Sequence, residues 1–331
     1  MCGWMHDGLK ESEMKVIFQL IIKRIGLSII TLFIVSAVVF FIANLLPGDA
    51  AQEMLGQSAT PEAVAALREA YGLNDPPLTR YAKWLTGLVT GDAGMSLANS
   101  RPVSELISSR LSKSLLLAGL TTVIAVPFAM LLGIVAAMYS GRRVDKIMNI
   151  ATLSMVAVPE FLLATIFVLI FAVELNWLPS LSYIPADAGV YEYFRAFALP
   201  VATLCIVLSA QMARMTRAAV LEQLSQPYVE MALLKGSPLS RAVLRHALPN
   251  AVGPIVNAVA LSLSYLLGGV VIVEVIFNYP GVASLMVDAV TNRDMPLLQA
   301  CAMLFCTGYL ILVLIADLSA ILANPKLRTG G

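Results

Sequence analysis

The chain has 331 residues, a length that would suit about two soluble domains. Its composition excludes that reading: 59% of residues are apolar and only 13% are charged, where a soluble domain carries about 25% charged residues. A net charge of +1 offers no electrostatic footprint for nucleic acid, and two histidines and four cysteines are too few and too scattered for a metal array or a disulfide framework.

The charges avoid six apolar runs, at 25–46, 114–138, 148–173, 197–213, 254–276 and 298–322. Within them only Glu160, Glu274 and Asp317 are charged. At about 1.5 Å per residue, all but the fourth run span the ~30 Å hydrocarbon core outright. The fourth stops at Arg214, but its helical pattern continues to about Val220, so it is expected to leave the membrane at its C-terminal end. Prolines at 127, 159 and 200 predict kinks inside three spans.

Lys and Arg in the short loops set the orientation. Fourteen lie in the N-terminal tail, loop 139–147, segment 214–253 and the C-terminal tail, against one each in loops 174–196 and 277–297. Both termini are therefore expected in the cytoplasm. Residues 1–13 read as a polar tail ahead of a natural start at Met14, and 14–46 as an uncleaved first transmembrane segment. Loop 47–113 is expected outside. Residues 114–322 form the remaining five-helix core, followed by a cytoplasmic tail at 323–331.

The external loop has structure of its own. Thr60-Pro61-Glu62 opens a short helix that Gly72 ends, and Leu78–Val89 predicts a second, with Tyr81, Trp84 and Leu88 on one side. Gly91–Ser96 reads as a flexible turn. The segment is either a lid on the first two spans or a docking surface for an external partner.

Segment 214–253 carries the mechanistic signal. Pro227 opens a helical run through Lys235, and Gly236 sits where a left-handed C-terminal residue is wanted. Ser237 and Pro238 are expected to start a second helix that Pro249 ends. The first helix is almost entirely apolar. It is too short to stand alone, so it either folds back on the membrane ends of its own chain or inserts into another protein.

The run from Tyr228-Val229-Glu230-Met231-Ala232-Leu233-Leu234-Lys235-Gly236 to Arg245-His246-Ala247-Leu248-Pro249-Asn250-Ala251 resembles the EAA loop of binding-protein-dependent ABC importer permeases. It is most similar to the dipeptide, oligopeptide and nickel permease family. Leu46-Pro47-Gly48-Asp49, Gly91-Asp92-Ala93-Gly94-Met95-Ser96, Arg101-Pro102-Val103 and Phe277-Asn278-Tyr279-Pro280-Gly281 resemble that family's motifs in the same order, from about Lys15 to Lys326. The resemblance implies an all-α membrane protein of six transmembrane helices with the type I importer permease fold, a helical periplasmic cap and a cytoplasmic coupling helix. It implies residence in a bacterial inner membrane. Tyr228, Glu230, Ala232 and Gly236 would then be the residues that couple to the ATPase. The implied partners are two cytoplasmic ABC ATPases, a second, paralogous permease, and a periplasmic or extracellular substrate-binding protein. Ala50, Met231, Leu233 and Leu234 depart from the family pattern, the last three at the presumed ATPase contact. The chain itself has no G-x-x-x-x-G-K-[ST], so no ATP hydrolysis of the P-loop kind is expected of it, and no cofactor.

Glu160, counted along an unbroken helix, falls about 18 Å into its span. A carboxylate at that depth should face a cavity or a partner. It is expected to line a translocation path and favour a cationic group, with a packing role beside Ser154 or Thr165 as the other reading. Glu274 and Asp317, nearer the ends of their spans, read as anchors to the headgroup region. Cys205, Cys301 and Cys306 read as apolar packing residues. An ATP-independent transporter or channel is the rival class, but it predicts inverted repeats and paired midplane ions that are not seen here. A recruiting scaffold, the third reading, would need no kinked, Glu-bearing span.

Overall fold

A computed structural model describes residues 3–45, 59–70, 72, 74–183 and 189–323. The motif Leu46–Asp49 and the tail lysine and arginine at 326 and 328 lie outside them. Eleven helices follow in order among the described residues: α1 (Gly3–Leu45), α2 (Pro61–Ala70), α3 (Pro77–Thr90), α4 (Val103–Met138), α5 (Arg143–Ala157), α6 (Glu160–Glu174), α7 (Val190–Leu224), α8 (Pro227–Leu234), α9 (Leu239–Ile276), α10 (Val282–Thr291) and α11 (Met295–Ala323). The described residues form helices and no strand, as expected for an all-α protein. Helix α1 begins at Gly3 rather than at Met14.

Five helices, α1, α4, α7, α9 and α11, are long and apolar enough to cross a membrane. The sixth span is not one helix. Helices α5 and α6 pass the same test only together, and they meet at an angle of 98°. The break falls at Val158-Pro159, both with extended ψ. Pro159 cannot donate to the preceding turn and disfavours helix in the residue before it, which is sufficient to part the two halves. Beyond Phe167 the helix widens to a π form through Glu174.

Helix α7 is the hub, with 67% of its apolar window buried against 11% for α1. It packs along α4 and α9, and on α5 and α6. Gly133 of α4 permits the first contact: a Cβ there would stand 2.7 Å from both the Ala213 carbonyl oxygen and Thr216 Cβ of α7. Small residues let membrane helices approach this closely, because van der Waals contact replaces a hydrophobic drive that lipid does not supply. As expected for the fourth run, α7 extends well past its apolar stretch, to Leu224.

Helix α1 stands at the periphery against α11. Arg24 pairs with Asp317 at 2.8 Å, near the ends of the two spans. At the other end Phe41 stacks on Tyr81 of α3, Phe40 meets the same ring edge-on, Trp84 packs on Phe40, and the Ser36 and Tyr81 hydroxyls are 2.8 Å apart. Tyr81 and Trp84 do share a face of α3, which lies on the first span. Gly91, with φ +88°, closes α3 in the left-handed conformation.

Candidate functional site: the exposed helix α8 and three buried carboxylates

Helix α8 starts with Pro227 at its first position and closes in a Schellman motif. Ser237 N–H donates to Ala232 O at 3.1 Å and Gly236 N–H to Leu233 O at 2.9 Å, with Gly236 at φ +85°. Gly236 holds the left-handed C-terminal position that the sequence predicts. Ser237, expected to cap the next helix, spends its N–H on this closure, and Pro238 precedes α9 instead. Nor does Pro249 end that helix. A π turn over Val243–Ala247 leads without interruption into the long span. The wider turn accommodates a residue that cannot donate to a normal α turn.

Only Val229 of α8 is fully buried, in a small cluster with Ala242 and Ala247 and beside Leu224. Tyr228, Met231 and Leu234 are 43%, 53% and 76% exposed. Glu230 and Gly236 are also exposed, and Ala232 is half-buried. The four residues singled out in the sequence thus share one helix and its closure. The helix is held to its own chain by buried Val229 and by a Tyr228 hydroxyl that donates to Gln223 Oε1 at 3.0 Å, and it leaves most of its apolar surface free.

At the same end of the bundle, Arg217 of α7 grips Asp145 in the first turn of α5 through Nε–Oδ1 at 2.7 Å and Nη2–Oδ2 at 2.9 Å. Gly141 N–H and the Asn149 amide add two more donors, at 2.9 and 2.6 Å. Asp145 is 4% exposed. Sequence reading used Arg217 only as a sign of sidedness. Nothing in the local pattern marks a partner 72 positions away.

Glu160 is the first residue after the break. Depth counted by helix rise therefore does not apply to it. Its carboxylate rests on Gly269 of α9, where a Cβ would come within 2.8 Å of Oε2. That contact sets Glu160 level with a residue seven before the end of α9 at Ile276, about 10 Å from that end by helix rise. It is still inside the apolar band, but nearer one face than the middle. Neither expected partner is engaged: Thr165 donates to Phe161 O at 2.7 Å, and no Glu160–Ser154 bond is present among the described residues.

Glu274 is not a headgroup anchor. It is fully buried and accepts from Ser114 Oγ at 2.5 Å, Ala283 N–H at 2.8 Å and Ser284 N–H at 3.3 Å. Ser114 in turn accepts from Val282 N–H at 2.8 Å. The carboxylate thereby satisfies the free N–H groups at the start of α10, where the helix dipole also favours negative charge. Gly281 leaves the room it needs. Asp294, which the sequence did not single out, does the same for α11. It accepts from Leu297 N–H at 3.3 Å, and from Leu97 and Ala98 N–H and the Ser96 hydroxyl across the chain. The segment Gly91–Ser96 is consequently no loose turn. Met95 bridges Pro102, Val103 N–H donates to Gly94 O at 3.0 Å, and Ser96 is buried. The motif-like segments around residues 94–103 and 277–281 are thus parts of one construction at the end of the bundle opposite α8.

A bundle of membrane spans, one of them broken, with an apolar helix displayed at one end, has the architecture of a transport permease of the type I importer fold. Comparison with known proteins agrees. Residues 129–329 match the family described as binding-protein-dependent transport system inner membrane component, and residues 17–118 match its N-terminal companion. The chain belongs to this family of ABC importer permeases; it is a transport component, not an enzyme. A probable peptide ABC transporter permease protein of Sinorhizobium fredii is 36% identical over 310 residues, covering 93% of this chain and 98% of that one. A glutathione transport system permease protein of Escherichia coli strain K12 is 36% identical over 308 residues, with the same coverage.

Proposed function

We propose that this chain is one permease subunit of an importer for short peptides or peptide-like solutes such as glutathione, with α8 as its coupling helix. The observation that carries the reading is the exposed apolar surface of α8, closed by Gly236 and with Val229 as its one buried residue. In a membrane protein, an apolar helix displayed outside the spans calls for a protein partner. Tyr228, Glu230, Ala232 and Gly236 meet the ATPase in this reading. Two ATPase subunits and a second, paralogous permease complete the machine, and a binding protein delivers solute at the end carrying α3 and α10. The basic loops favour both termini in the cytoplasm, and family membership supports residence in a bacterial inner membrane. ATP is hydrolysed by the partners, since the chain has no phosphate-cradling glycine loop.

Glu160 faces the translocation path in this reading and attracts the ammonium group that peptides and glutathione share. A carboxylate inside the apolar band, at a helix break and without a cationic partner among the described residues, is expensive to keep there for packing alone. The test is reconstitution with candidate ATPase subunits and binding protein in liposomes. ATP hydrolysis stimulated by the binding protein, and uptake that Glu160→Gln weakens for free-amine but not for N-acetylated peptides, support the reading. Solute flux without any ATPase would overturn it.

A further inference from the structure

Tyr265 is the twelfth of the 23 residues in the apolar run 254–276, and it is 69% exposed. That is an unusual place for a tyrosine. In membrane proteins tyrosine concentrates at the two interfaces, where its hydroxyl reaches water or headgroups. At mid-span facing hydrocarbon, the hydroxyl would be left without a partner, at a cost of the order of a lost hydrogen bond. Among the described residues it makes none. The position favours a polar passage over lipid.

The neighbouring turn supplies the rest. Residues three and four apart on a helix share a face, so Tyr265 flanks Gly268 and Gly269. Gly268 is exposed, with open space where its Cβ would be, and Gly269 lies under the Glu160 carboxylate. Together they make a notch on α9. Two glycines form its floor, a carboxylate lies across one of them, and Tyr265 lies one helical turn before them. A carboxylate and an aromatic face are the two groups that bind an organic ammonium ion, one by charge and the other through the ring quadrupole.

We infer that Tyr265 is the aromatic partner of Glu160 in a site on the translocation path that takes the ammonium group of the solute. The inference rests on the reading that Glu160 faces the path. Gly268 is the position from which to test it, because a small side chain fits there.

The experiment uses the assembled importer in liposomes, with Cys2, Cys205, Cys301 and Cys306 replaced by serine or alanine and Gly268→Cys as the single thiol. Its reaction rates with a trimethylammonium and a sulfonate methanethiosulfonate reagent are compared. Val123→Cys, at a position 72% exposed on α4, serves as the lipid-facing control. We expect Gly268→Cys to react and the control not to. The preference for the cationic reagent should fall about threefold with Glu160→Gln, the size of a partly screened charge effect at contact range. It should fall about two- to fivefold with Tyr265→Leu, and little with Tyr265→Phe, which keeps the ring. If Tyr265→Leu leaves the preference unchanged while Glu160→Gln reduces it, the Tyr265 assignment is overturned and the reading of Glu160 stands. If Gly268→Cys is inert while Glu160→Cys reacts, the notch lies off the path and again only the assignment is lost. If neither thiol reacts, both fall.

Discussion

Arg217 holds Asp145 through two nitrogens, 2.7 and 2.9 Å from its two carboxylate oxygens, and so joins the start of α5 to the central helix α7. The pair sits at the end of the bundle where α8 emerges. Asp145 receives four donors in all and is nearly sealed from solvent, whereas Arg217 keeps a quarter of its side-chain surface exposed. Removing the arginine would strand a buried carboxylate. Removing the charge on the carboxylate leaves an arginine that can still reach water. Arg217→Met should therefore destabilise the protein by about 3–5 kcal/mol, and Asp145→Asn by clearly less. The double substitution should recover part of the loss. Thermal unfolding of the detergent-purified protein reads the order of the three variants, and equal losses for the two single substitutions would contradict it.

Gly236 sits at φ +85° with no neighbour of its own chain within reach of a Cβ, so a side chain there acts through the backbone and at the proposed ATPase contact. Gly236→Ala should cost about 1 kcal/mol in the left-handed conformation and loosen the end of α8. Insertion and assembly should be unchanged, while ATP hydrolysis stimulated by the binding protein drops severalfold. Unchanged stimulation would mean that the closure of α8 does not matter for coupling.

Glu274 satisfies one hydroxyl and two backbone N–H groups that have no water to turn to. Glu274→Ala should leave the first turn of α10 unsatisfied and cost about 3 kcal/mol or more. Glu274→Gln keeps one acceptor and should fall between the two. Limited proteolysis within residues 277–294, and hydrogen exchange at Ala283 and Ser284, should become faster from the parent protein to Glu274→Gln to Glu274→Ala, and equal rates for the three would contradict the role of the carboxylate.

Asp294→Ala releases Ser96, Leu97 and Ala98 together with the start of α11. Ser96→Ala removes one hydroxyl and should cost about 1–2 kcal/mol, less than Asp294→Ala. Hydrogen exchange at residues 96–103 is the measurement. Protection retained in Asp294→Ala would show that the bridge between Met95 and Pro102 holds the turn by itself.

Gly133 packs against the Ala213 carbonyl and Thr216, neither of which can retreat without moving α7. Gly133→Val should force α4 and α7 apart at a cost of about 1–3 kcal/mol, lowering the thermal midpoint in detergent. Gly268→Val, in open space, should not.

What could be read in the chain is what depends on local chemistry. Apolar length marked the spans, because a bilayer demands about 20 uncharged residues whatever the neighbours do. Pro227 and Gly236 bounded α8 because φ restriction is a property of single residues. The α3 face carrying Tyr81 and Trp84 followed from helical period. The errors share a different cause. Pro159 suggested a kink, but whether the helix bends or breaks depends on what packs against it, and the 98° turn moved Glu160 away from the depth that simple counting assigned. Glu274 looked like an anchor because its distance from the span's end is local, while its partners Ser114, Ala283 and Ser284 are brought to it by the fold. Gly91–Ser96 looked flexible because glycine is permissive, and Asp294 removed that freedom from 196 to 198 positions away. The sequence by itself determined the membrane class, the family and the helix that faces the ATPase in our reading. Only the tertiary structure decided which buried charge meets which donor, because a carboxylate in the apolar band is stable only where distant backbone and hydroxyl groups converge on it.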